Sequence, residues 1–143
     1  MEKYFAFHDG SLDGLLVEDK TAHVFVSTMN QERFVIEASG VVALNADNFK
    51  QGNIIFEVLT RSANELTLEH IESVHGGFPE VSRSRFAARG LELAVEKDLS
   101  LLVIDPSYGA TCLVLAATFN LRKRRDWEEG HMLTQSGSEA KST

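Results

Sequence analysis

Two neighbouring segments that are apolar on both faces constrain this chain more than anything else in it. Leu99 to Ile104 and Ala110 to Leu121 are joined by Asp105-Pro106-Ser107-Tyr108-Gly109. Successive side chains of a strand point to opposite faces, so a strand with one wet face alternates apolar and polar residues. Leu101-Leu102-Val103-Ile104 and Cys112-Leu113-Val114-Leu115-Ala116 do not alternate. Both strands therefore need cover on both sides, which places them at the centre of a sheet with helices over one face. The Pro and Gly of the short link predict a hairpin.

The rest of the chain supplies the other strands and the covering helices. Tyr4 to Phe7 reads as a short aromatic strand running into the turn His8-Asp9-Gly10-Ser11, and Leu12 to Glu18 with Ala22 to Thr28 reads as a hairpin. Arg33 to Ala38 alternates as a half-buried strand, Gly40 opens a further strand from Val41 to Leu44, and Asn45 to Asn53 reads as a loop. In the next strand, Ile54 to Arg61, alternation puts Ile54, Phe56 and Val58 on one face and Ile55, Glu57 and Leu59 on the other. Thr67 can cap a helix carrying Leu68, Ile71 and Val74, stopped by Gly76-Gly77. A second helix is predicted from Ser84 to Lys97, with a stripe of Ala87, Leu91, Ala94 and Val95 and a cost of roughly 1 kcal/mol at Gly90. The expected fold is α+β: a predominantly antiparallel β-sheet of about seven strands with two helices packed on it. Residues 1–129 form one domain in this reading, and 130–143 form a polar, flexible C-terminal tail.

Charge and cysteine usage exclude several classes of function. The net charge of −7 repels polyanions, so nucleic acid is not an expected partner. The basic run Arg122-Lys123-Arg124-Arg125 is followed by Asp126, Glu128 and Glu129, and reads as a solvated strand end. The single cysteine, Cys112, rules out an intramolecular disulfide, and a reducing cytoplasm is the expected compartment. The start Met1-Glu2-Lys3-Tyr4-Phe5 lacks the pattern of a secretory signal, and no apolar stretch approaches the ~20 residues of a spanning helix, so no membrane is expected.

Few residues fall into a pattern that chemistry requires. His8-Asp9 is the dipeptide used for metal binding in a large class of phosphohydrolases, but there it sits on a helix with further His and Asp residues. Here it borders a turn, with Asp13 the nearest further carboxylate. His70 and His75 lie about 140° apart on a helix, too far to chelate one ion, and the five histidines show no ligand spacing with Cys112. Ser107 lacks the glycine two residues before it that a nucleophile elbow needs, and Cys112 lies in an apolar strand where burial hides a thiol. Gly76-Gly77 and Gly10 to Gly14 match no phosphate cradle. Neither a metal nor a cofactor is expected.

Phe7-His8-Asp9-Gly10-Ser11-Leu12 with Gly14, together with Asn48-Phe49 and Gly52-Asn53-Ile54-Ile55, resembles the opening of small bacterial domains that begin with a His-Asp-Gly or His-Asp-Ser turn. Some of those domains are similar to immunity proteins that neutralise toxins. The resemblance spans about the first 60 residues and implies no catalytic residue. With the acidic surface, it sets the leading expectation: a non-catalytic protein-binding module, immunity-like, that captures a basic protein partner and uses His8, Asp9 and Asp13 as candidate binding residues. The alternatives are a small hydrolase or metal-binding enzyme built on those three residues, and a self-associating β subunit forming a homo-oligomer.

Overall fold

The computed structural model describes residues 2–129, so the expected C-terminal tail, 130–143, lies outside the described residues. Six strands form the body: β1 (Ser11–Glu18), β2 (Thr21–Ser27), β3 (Arg33–Asp47), β4 (Asn53–Arg61), β5 (Ser100–Tyr108) and β6 (Thr111–Lys123). They close into an antiparallel barrel in the order β1-β2-β3-β6-β5-β4. The architecture is α+β, but the open sheet of about seven strands is replaced by a closed barrel of six.

Two local effects change which segments become strands. Residues Glu2–Phe7 form a 3₁₀ helix rather than a strand. Side chains three apart eclipse on such a helix, so Tyr4 and Phe7 both turn inward and are buried while Phe5 stays 80% exposed; a strand would have put Tyr4 and Phe7 on opposite faces. The two short strands expected around Gly40 are one strand, because Gly40 takes φ +67 and bends β3 without ending it. Beyond the bend β3 keeps β6 as its partner, and Ala46 and Asp47 stand opposite Cys112 and Thr111, which carries the strand into what reads as loop sequence.

The doubly apolar hairpin separates two cores. Leu102, Ile104, Cys112, Val114 and Ala116 point into the barrel with Val24, Ile36 and Ile55. Leu101 and Leu115 point outward beneath the helices α1 (Leu68–Val74) and α2 (Arg83–Glu96), against Leu66, Ile71, Val74, Ala94 and Leu99. Thr67 caps α1 by accepting from the His70 N–H at 3.2 Å. Gly90 has a packing reason: a Cβ there would sit 2.6 Å from Cγ2 of Ile71, so the glycine lets the helices approach. Val95, expected in the buried stripe, is exposed.

Closure is narrow. β1 and β4 pair only at Ser11 with Ile54 and Leu12 with Asn53. The buried Asn53 amide ties this seam: its Nδ2 donates to Leu12 O (3.3 Å) and Lys50 O (2.8 Å), while its Oδ1 accepts from Lys50 N (2.7 Å) and Ala110 N (3.0 Å). Past the seam the 3₁₀ helix packs along β4 in place of a strand.

Candidate binding groove

Between the 3₁₀ helix and β4 lies a groove of about 430 Å³ lined by Tyr4, Phe5, His8, Phe56, Val58 and Leu59, with Glu57 on its wall. Its form follows from an irregularity in β4. The register against β5 shifts between Ile54 and Ile55 and again between Ile55 and Glu57, so Phe56 is an extra residue and the simple alternation fails there. Ile55 and Val58 turn into the barrel, whereas Ile54 and Phe56 stay outside. Phe56 is 49% exposed, and Ile54 stands beside the exposed Tyr108 of β5. Clustered exposed aromatic and aliphatic side chains of this kind mark interaction surfaces.

His8 and Asp9 sit at the rim. The His8 Nδ1–H donates to Phe56 O at 2.5 Å, and the ring meets Phe56 edge-on at 5.6 Å. His8 Nε2 is 3.7 Å from the Asp9 carboxylate. With the proton on Nδ1, Nε2 and the carboxylate are both acceptors, so they attract only when the ring is protonated. Asp9 holds φ +65, and its N–H donates to Ile55 O at 2.9 Å, which fastens the turn to β4.

The groove has an acidic flank. Glu57 and Asp105 stand directly opposite each other on β4 and β5, both half-buried. Like charges in facing positions destabilise a sheet. Among the described residues neither carboxylate has a hydrogen-bond or ion-pair partner.

Asp13 belongs elsewhere. It is the extra residue where the β1–β2 register shifts, and its carboxylate accepts from Ser11 Oγ (2.7 Å), Ser27 Oγ and the Arg124 guanidinium. Arg124 also donates to Phe34 O (3.0 Å) and Val26 O (3.1 Å) and stacks 5.3 Å over the Phe25 ring; its side chain is 1% exposed. Next to it Arg122 makes a two-point pair with Glu128, both contacts at 2.9 Å, and reaches Glu37, which pairs with His23 at 3.2 Å. Glu128 is fully buried. Its hydrogen bonds from Arg122 hold its carboxyl down to about 2, against an opposing push from burial and with help from the Arg125 N–H. Two members of the basic run, Arg122 and Arg124, are thus paired over the outer face of β2, β3 and β6, while Lys123 and Arg125 are exposed at the strand end as expected.

The other candidates have local partners or are buried. His70 Nδ1 accepts from Thr67 N at 3.0 Å, completing the cap of α1, and its ring is held less basic by burial, then by Arg61. His75 Nδ1 bonds Ile71 O at 2.9 Å. Cys112 is inside the barrel, where burial pushes its thiol up to about 12. Ser107 is exposed near the end of β5. No cluster of three or more His, Cys, Asp or Glu able to hold a metal occurs among the described residues. The structure therefore brings His8 and Asp9 together and commits Asp13 to Arg124. A hydrolase using all three would need Asp13 released from that pair.

Sequence reasoning missed Phe5, Phe56, Glu57 and Asp105 as one locus. The only available signal was three aromatic residues among Tyr4 to Phe7 where a buried strand would need two. No helix among the described residues is long and apolar enough to cross a membrane. Comparison with models of protein families, with curated proteins and with solved structures gives no match to this chain.

Proposed function

We propose that this chain is a non-catalytic binding module that captures a basic protein partner, in the manner of an immunity protein, through the groove between the 3₁₀ helix and β4. The observation that carries the proposal is the pairing of exposed aromatic side chains, Phe5 and Phe56, with the Glu57 carboxylate on the groove wall, which faces Asp105 of β5, neither carboxylate having an ion-pair partner among the described residues. An apolar anchor flanked by charge is what a protein interface needs: burial supplies affinity, and complementary charge supplies partner choice and association rate. The net charge of −7 adds long-range attraction for a cationic surface. His8 and Asp9 then act as rim residues, and Asp13 supports the fold.

The test is co-expression and co-purification with the products of genes adjacent to this one, toxins in particular, followed by titration calorimetry. A complex is expected with the native chain, and a loss of at least about tenfold in affinity with the Phe5→Ser/Phe56→Ser variant. Full affinity in that variant, or neither complex nor protection with any neighbouring product, would defeat the proposal.

A further inference from the structure

Resting on the binding-module reading, we infer that the partner's docking segment is an extended strand that adds to the free edge of β4, antiparallel to it, bearing a basic side chain opposite Glu57, an apolar one opposite Leu59 and an acidic one opposite Arg61. Main-chain bonding along this edge ends early: the β1 pairing stops at Ile54 and the loop bonds of Asp9 and Gly10 stop at Ile55. Beyond them the 3₁₀ helix packs alongside with no backbone hydrogen bond to Glu57–Arg61 among the described residues, so the added strand enters the groove between the helix and β4. His8 takes Phe56 O, and from Glu57 to Arg61 β4 pairs with β5 alone. Unpaired strand edges are templates for main-chain pairing by another chain.

The side-chain pattern follows from the orientation of β4. Val58 and Thr60 stand opposite Ile104 and Leu102, which face the barrel interior. Glu57, Leu59 and Arg61 stand opposite Asp105, Val103 and Leu101 on the outer face. Every second residue of an added strand joins that outer row. A cation opposite Glu57 would relieve the repulsion between Glu57 and Asp105, and an acid opposite Arg61 would meet a guanidinium without an ion-pair partner among the described residues. In antiparallel order the segment reads acidic-x-apolar-x-basic, its basic end entering beside Phe56 and the groove. Antiparallel pairing is the more stable per residue and continues the sense in which Ser11 and Leu12 meet β4.

The experiment uses the full chain, isotope-labelled, and short capped peptides with Glu, Leu and Lys at alternate positions and Thr between them. Binding tighter than about 1 mM is expected, with shifts confined to β4 and the 3₁₀ helix and slowed amide exchange within Glu57–Arg61. N-methylation of the peptide backbone on the pairing edge is expected to weaken it at least about tenfold. Glu57→Lys should abolish binding of the Lys peptide and accept the peptide with that Lys changed to Glu. Binding that is indifferent to N-methylation, or to the order of the charged residues, overturns strand addition and leaves a side-chain docking module. The absence of any shift at millimolar peptide also overturns it, while complex formation with a folded partner is judged separately by co-purification. Concentration-dependent dimerisation that slows exchange at the same β4 amides would make the occupant a second copy and overturn the basic-partner assignment.

Discussion

The outer face of β2, β3 and β6 and the outer face of β4 carry the same kinds of residue, aromatic rings beside carboxylates, and treat them in opposite ways. On the first, Phe25 lies under Arg124, and the carboxylates of Asp13, Glu37 and Glu128 all meet cations. On the second, Phe56 is half exposed and Glu57 faces Asp105 with no cation near enough to pair among the described residues. The difference is where the chain spends its arginines. The post-β6 run turns back over the barrel and neutralises one face, and among the described residues no comparable set of cations covers the other. A face with its charges paired contributes to stability, and a face with its charges unpaired is available for another molecule.

That contrast can be broken at its strong side first. Arg124→Ala removes the cation from a nearly dry site and leaves Asp13 unpaired, so a loss of about 3–5 kcal/mol is expected in urea denaturation, with little recovery in Arg124→Lys, which cannot reproduce the fork of donors. Glu128 is next. Its carboxyl is lowered to about 2 from an ordinary 4.5, so the stability it contributes is complete above pH 4.5 and disappears as pH falls toward 2. The shift corresponds to about 3 kcal/mol, but undocking of the short helical turn at 126–129 sets a ceiling, and about 2 kcal/mol is the expected loss in Glu128→Gln. That variant should also show a flatter decline in stability between pH 4.5 and 2 than the native chain.

The open side should respond weakly. Phe56→Ser removes an exposed ring, and its effect on stability should stay within about 0.5 kcal/mol while partner binding falls. Asp105→Asn should raise stability by a few tenths of a kcal/mol through relief of the Glu57 repulsion, measurable as a small rise in melting temperature that fades in high salt. A clear loss of stability in Asp105→Asn would show that the two carboxylates are not in conflict and would remove the asymmetry between the faces.

How much was legible in the sequence divides along the same lines. The two-sided apolar pattern of Leu101 to Ile104 and Cys112 to Ala116 led to a central hairpin with helices on one face, since period and composition report burial directly. Barrel closure was not legible, because it depends on two residue pairs, Ser11 with Ile54 and Leu12 with Asn53, more than 40 positions apart. The bulge at Phe56 was invisible for a related reason: alternation assigns faces only while the register holds. His8 and Asp9 could be picked out as a turn, but their neighbourhood comes from β4. The fate of Asp13 was set by Arg124, 111 residues away.

The seam also sets a schedule for biosynthesis. Asn53 Oδ1 accepts from Ala110 N, which is made 57 residues later. At ordinary ribosomal elongation rates that is roughly 3–11 s of waiting, during which β1 to β4 exist without β5, and β6, the other strand their ring needs, is made only afterwards. A nascent chain cut short before Ala110 has no means of closing. Its unfinished apolar strands would be open to chaperones and proteases for that interval, and slower translation through 54–110 would lengthen it.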